Sequence, residues 1–130
     1  RDSENLLFYS SSFIEEDFNF IKKQGGLSWQ IVNHRDEANE FCDFVLDKFG
    51  SPLICHKLKR DSVLKECKIG KEISEGILFE GLEAIHTPGH CPGSTCFLLK
   101  GEKKNILFTG LRGSPRKLCP TNDIGYIFSQ

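Results

Sequence analysis

The segment Thr87-Pro88-Gly89-His90-Cys91-Pro92-Gly93 constrains this chain more than any other. Each proline fixes φ and removes a backbone donor, so neither a helix nor a central strand can run through it. The segment is a loop stiffened by its own residues. Apolar runs at 82–85 and 95–99 flank it and read as strands. His90 is therefore expected on a rigid rim between two strands.

The rest of the chain alternates strand and helix signals. Leu6-Leu7-Phe8-Tyr9 reads as a short buried strand. Ser12 and Glu15 fit a capping box, with Ile14, Phe18 and Ile21 at helical spacing and Gly25-Gly26 as the stop. Trp29-Gln30-Ile31-Val32 is a predicted strand, followed by the polar burst Asn33-His34-Arg35-Asp36-Glu37. A second helix is predicted over residues 38–49, with Phe41, Val45 and Phe49 on one face and Gly50 and Pro52 ending it. Leu53-Ile54-Cys55 is a short strand, and residues 61–67 can make one or two helical turns. Residues 77–79 and 82–85 form a predicted hairpin around Gly81. Strands at 95–99 and 105–109 follow, joined by Lys100-Gly101-Glu102-Lys103-Lys104. The tail after Gly110 is rich in Gly, Pro and charge; its last apolar pieces are Ile124 and Tyr126-Ile127-Phe128. This order predicts an α/β sandwich with helices covering a mixed sheet, one domain over residues 1–130.

Thr87-Pro88-Gly89-His90-Cys91-Pro92-Gly93-Ser94 resembles the Thr-Pro-Gly-His-Thr-Pro-Gly-Ser motif of the metallo-β-lactamase superfamily. Ile106-Leu107-Phe108-Thr109-Gly110 is similar to its later Leu-Phe-Thr-Gly-Asp strand. The stretch 29–37 sits where that superfamily places His-x-His-x-Asp-His after a strand. The resemblance spans residues 29–111. It implies an αββα sandwich, of which this chain holds about one half plus part of the second. It also implies a binuclear hydrolase centre, usually zinc and sometimes iron or manganese. There, two ions polarise a substrate and acidify a water molecule.

Carried over residue by residue, that centre divides in two. His34 matches the first His of the motif, Asp36 falls at the second, and His90 matches the loop His. Ala38 falls where the motif has Asp, Asn39 where it has its last His, and Leu111 where the bridging Asp follows Thr-Gly. No His follows His90. The resemblance thus implies at most one transition-metal ion (zinc, iron or manganese), or none, on His34, Asp36 and His90. Two imidazoles and a carboxylate suit any of the three. Asp36 and His90 are the catalytic candidates. Asp is shorter than His, so Asp36 reaches an ion only if its loop moves inward; Glu37 is the alternative donor.

Each residue also has a plainer reading. His34 and His90 can be local hydrogen-bonding relics, and Asp36 can be a helix N-cap. Glu37 suits a first helical turn. His56 is expected to be structural or exposed. His86 is expected to pack or hydrogen-bond near the loop, with Cys91 a spectator beside His90. Arg35, Arg112, Arg116 and Lys117 read as surface charge, although any of them could meet an anionic substrate.

Composition removes several function classes. Hydrophobic residues make up 38% and charged residues 27% of the 130, an ordinary soluble balance. The net charge of −1 gives no electrostatic footprint for nucleic acid or an anionic membrane. The basic run Lys57-Leu58-Lys59-Arg60 reads as a solvated face balanced by Asp61 and Glu66. No apolar stretch is long enough to span a bilayer. The polar start without Met reads as part of a longer or processed chain, truncated at both ends. Six cysteines (42, 55, 67, 91, 96 and 119) form no Cys-x-x-Cys pair, and several lie in apolar runs. They read as reduced, buried thiols of a cytoplasmic protein.

The expectation is a hydrolase-like protein with at most one ion, acting on a small ester, thioester or phosphoester. The alternative is a catalytically silent member kept as a binding or scaffold domain, for which Ala38, Asn39 and Leu111 argue. A lone sheet with helices on one side would leave an apolar face, to be covered by a homodimer partner or a missing segment.

Overall fold

A computed structural model describes residues 5–8, 15–33, 35–88, 91–108 and 125–127. Its elements are strands β1 (Leu6–Phe8), β2 (Trp29–Ile31), β3 (Leu53–His56), β4 (Lys71–Ile73), β5 (Gly76–Phe79), β6 (Leu82–His86), β7 (Thr95–Lys100), β8 (Asn105–Phe108) and β9 (Gly125–Ile127). Helices are α1 (Glu15–Lys23), α2 (Glu40–Phe49) and α3 (Arg60–Leu64). Two 3-10 turns, Arg35–Glu37 and Lys57–Lys59, each follow a strand of the first sheet.

The strands form two sheets. The first runs β4-β3-β2-β1-β9, parallel except for β9; the second is the antiparallel meander β5-β6-β7-β8. Strand alternation decides what faces what. Leu6, Phe8, Ile31 and Ile54 meet Leu82, Ala84 and Phe97 in one buried cluster between the sheets. Phe8 stacks on Phe108 at 4.2 Å and meets Phe97 edge-on at 5.4 Å. Leu7 points the other way, joining Ile21, Leu27 and Val45 under α1 and α2. Leu53 and Cys55 likewise face Ala38, Cys42, Val63 and Cys67 under α2 and α3. The described residues thus stack as helices, sheet, sheet. Three layers of an αββα sandwich are present, and the described helices pack against the first sheet. On the second sheet Ile77, Ile106 and Leu107 remain exposed.

The helix ends explain where the elements stop. α1 carries Glu15, Glu16 and Asp17 in its first turn and Lys22 and Lys23 in its last, complementing its dipole. Gly26 N–H donates to the Ile21 carbonyl at 2.9 Å and Gly25 N–H to that of Lys22 at 3.1 Å. This Schellman closure needs the positive φ of Gly25. Gly50, at φ 68°, closes α2 onto Leu46. Buried Gln30 ties β2 to both ends of that corner, donating to the Cys42 and Ser51 carbonyls at 2.8 Å.

Several boundaries differ from expectation. α2 begins at Glu40 and not at residue 38, because Asn39 is its N-cap. Residues 61–67 yield only the short α3, preceded by the 3-10 turn. β4 and β9 carry no strong strand pattern, and both are edge strands supported by a neighbour's ladder. Ser12, Tyr9 and Thr109 lie outside the described residues. Among the described residues no helix is long and apolar enough to cross a membrane.

Candidate functional site

Two strand-to-helix corners and one loop converge at the carboxyl end of the first sheet. At the first corner β2 runs into Val32 and Asn33. Asn33 is buried and bonds across the sandwich: its Nδ2 donates to the Thr95 carbonyl at 3.0 Å and to the Phe108 carbonyl at 3.1 Å. Thr95 N–H donates back to the Asn33 carbonyl at 2.8 Å. The residue before His34 is therefore fixed to the strand that leaves the His90 loop.

The 3-10 turn then places Glu37 inside, 4% exposed, with its carboxylate accepting from the Asn33 backbone N–H. Ala38 is buried. Asn39 Oδ1 accepts from Phe41 N–H at 2.8 Å, capping α2.

At the second corner β3 runs into His56 and Lys59. His56 is 2% exposed, and its Nδ1 accepts from Leu58 N–H at 3.1 Å. Its ring stacks on His86 at 4.4 Å. Burial holds His56 below the usual histidine range, and His86 and Lys59 add to the effect. Lys59 is also 2% exposed, which corrects the reading of residues 57–60 as a solvated face. Its Nζ donates to the Val32 carbonyl at 3.0 Å. Burial lowers its pKa to about 8, with the Glu37 carboxylate pulling the other way. An ammonium at this depth persists because the Val32 carbonyl receives it and the Glu37 charge favours it.

The loop closes over Lys59. Thr87 N–H donates to the Ser94 carbonyl at 2.9 Å across its base. His86 Nε2 donates to the Pro92 carbonyl at 2.6 Å, as expected of a residue that braces the loop. Cys91 N–H donates to Ser94 Oγ at 3.2 Å, and the Cys91 thiol meets the same oxygen. Gly93 lies so close to Lys59 that a Cβ there would stand 3.0 Å from its backbone nitrogen.

Of the predicted ligands, His34 and His90 lie outside the described residues. Asp36 is described: its side chain is 55% exposed and its Oδ1 is 3.7 Å from Arg35 Nε. Among the described residues no three His, Cys, Asp or Glu side chains group to hold an ion. Sequence reasoning missed Asn33, Lys59 and the inward turn of Glu37. Lys59 carried a faint signal, since it follows β3 with Val63 at helical spacing beyond it.

The two-sheet architecture matches solved structures. The native FEZ-1 metallo-β-lactamase of Legionella gormanii superposes with TM-score 0.66 at 18% identity, covering 92% of this chain and 58% of its own. This is the metallo-β-lactamase fold. A metallo-β-lactamase of Cronobacter sakazakii with a HARLDQ motif gives TM-score 0.63 at 17% identity, covering 78% and 52%. The protein TTHA1623, solved in a di-iron-bound form, gives 0.56 at 16%, covering 73% and 61%. This chain spans roughly half to three fifths the length of those structures. No family model and no curated protein matches it.

Proposed function

We infer that this chain is a metallo-β-lactamase-fold, hydrolase-like protein of that superfamily that holds at most one metal ion, on His34, Asp36 and His90. The observation that carries the limit is Asn39. Its side chain is occupied in capping α2, at the position where the motif resemblance would put a second-ion ligand. Buried Ala38 beside it has no donor atom, nor has Leu111. Glu37, the alternative carboxylate, faces Asn33 and Lys59. The remaining donor set, two imidazoles and Asp36, is chemically suited to a single zinc, iron or manganese ion. Set letter by letter against the HARLDQ motif of the Cronobacter protein, residues 34–39 share its leading His and its terminal amide residue.

An ion there would supply Lewis acidity toward a small ester, thioester or phosphoester. The chain's own part is positional. Asn33 and Thr95 clamp the segments on either side, and exposed Asp36 has room to turn. A solved neighbour, an N-acyl homoserine lactone hydrolase with its product at the catalytic metal centre, shares the fold at TM-score 0.50 and supports the ester class.

The second reading is a catalytically silent binding domain, favoured by the structural use of Asn39 and Glu37. Elemental analysis of the purified chain separates the two. One equivalent of transition metal, lost in His90→Ala, supports the first; full metal content in His90→Ala removes the proposed ligand set. No metal after incubation with zinc, iron or manganese leaves the binding domain. A chelator that lowers the melting temperature of the untreated protein would agree with one native-state ion.

A further inference from the structure

The helix-facing side of the first sheet holds a pair of thiols that the rim does not use. Cys42, on α2, and Cys67, in the segment after α3, lie 3% and 5% exposed in one apolar cluster. The two thiols lie near enough for each to alter the other's titration. The residues that follow them are joined: Lys68 N–H donates to Asp43 Oδ1 at 2.9 Å. That bond and the shared cluster hold α2 and the post-α3 segment in a register that brings both sulfurs into one apolar space. Cys55 shares the cluster. No third donor completes a metal-holding group among the described residues.

We propose that Cys42 and Cys67 form a disulfide when the protein meets a small-molecule disulfide, making this pair a thiol–disulfide exchange site independent of the metal centre. Cys42 is the attacking sulfur. The neighbouring Cys67 thiol lowers its pKa to about 7, whereas Cys67 is pushed up. Burial raises Cys55 to about 11 and keeps it a thiol. The Cys42 thiolate attacks one sulfur of the reagent and expels its other half as a thiolate, which takes a proton from solvent. Cys67 then gives its proton to water and attacks Cys42 Sγ, expelling the second small thiol. The protein loses two hydrogens and two electrons, and the reagent gains them as two thiols. Both sulfurs are buried, so exchange proceeds through opening of the exposed Asp43–Lys68 contact.

The test is exchange of the folded 130-residue chain with oxidised glutathione or a small cyclic disulfide, followed by unreduced peptide mapping. The expected product is a peptide pair linked through Cys42 and Cys67, two hydrogen masses lighter than the separate peptides. Its melting temperature should rise, because a cross-link restricts the unfolded chain. Cys55→Ser should keep the link, and Asp43→Ala should form it faster. A link through Cys55, or stable glutathione adducts alone, would overturn the proposal. So would no exchange in the folded chain while the urea-unfolded chain reacts. Mapping is done on the wild-type protein and needs no variant to fold.

Discussion

The two corners of the first sheet are built alike and used differently. Each is a strand ending in a 3-10 turn and then a helix. The first, residues 31–40, carries the motif position with its His and acids, yet two of its polar side chains serve the backbone. Glu37 accepts from Asn33, and Asn39 caps α2. The second, residues 54–64, resembles a basic surface run, yet it buries an ammonium and an imidazole. The lysine then reaches back to the first corner through the Val32 carbonyl. Chemistry-bearing residue types are thus a poor guide to where charge is held in this rim. The deciding quantity is which backbone donors and acceptors the 3-10 turns leave over, and which side chain lies near enough to meet them.

Removing Lys59 should break that link most severely. Lys59→Ala strips the buried Val32 carbonyl of its ammonium donor and removes a positive charge that Glu37 favours, a loss of about 3 kcal/mol in urea unfolding. Lys59→Met, which keeps the apolar stem, should lose less. The wild type should also gain stability as pH rises. Its folded pKa of about 8 is below the ordinary 10.5, so between those values the unfolded chain binds a proton that the folded chain does not. Stability should climb across that window in the wild type and stay flatter in Lys59→Met. Equal slopes would place Lys59 in water and return the second corner to a surface role.

The loop's grip on the second corner is next in size. Gly93→Ala puts a methyl 3.0 Å from the Lys59 nitrogen and Cβ, and a backbone atom cannot yield as a side chain would. A loss of about 1 to 3 kcal/mol is expected. Should the variant unfold like the wild type, the loop moves away from Lys59 without cost. Asn39→Ala tests the first corner and should cost about 1 kcal/mol, the value of a lost N-cap. Asn39→Asp should retain most of it. If Asn39→Ala is neutral, the cap does not hold that side chain, and the reason given for a lost second ion weakens with it.

Much of this fold is legible in the sequence, and the illegible parts share a cause. The inter-sheet core follows from alternation in Leu6-Leu7-Phe8 and Thr95-Cys96-Phe97, and the α1 stop follows from Gly25-Gly26. The loop of prolines and glycines named the fold that the solved structures share. β4, Lys-Glu-Ile, lacks apolar alternation and exists because β3 offers it a ladder. The role of Lys59 was hidden for a similar reason. Charge in a sequence is read as exposure, and only tertiary packing brings a carbonyl and a carboxylate around it. Asn33 looked like loop polarity, whereas it bolts one sheet to the other. The start of α2 was misplaced because Asp36 was read as the possible cap, whereas Asn39 is an equally suitable one, and one-dimensional spacing cannot choose between them.

The smallest effect separates the corners by pH. His56 lies wholly in the second corner, and its Nδ1 is occupied by Leu58 N–H, so protonation there must break that bond. Its folded pKa is depressed below 6.5 by burial, then by His86, Lys59 and Lys57, with Glu75 opposing. As pH falls below 6.5 the unfolded chain takes up a proton that the folded chain refuses, and stability falls through that window. His56→Asn keeps an acceptor without titrating and should show a shallower acid decline in chemical unfolding between pH 7 and pH 5, both near the ordinary histidine value. The Asn39 cap is a neutral amide on a backbone N–H and does not titrate, so Asn39→Ala should lower stability by the same amount at both ends of that range. A decline unchanged in His56→Asn would move the acid sensitivity out of the second corner and dissolve the contrast between the two.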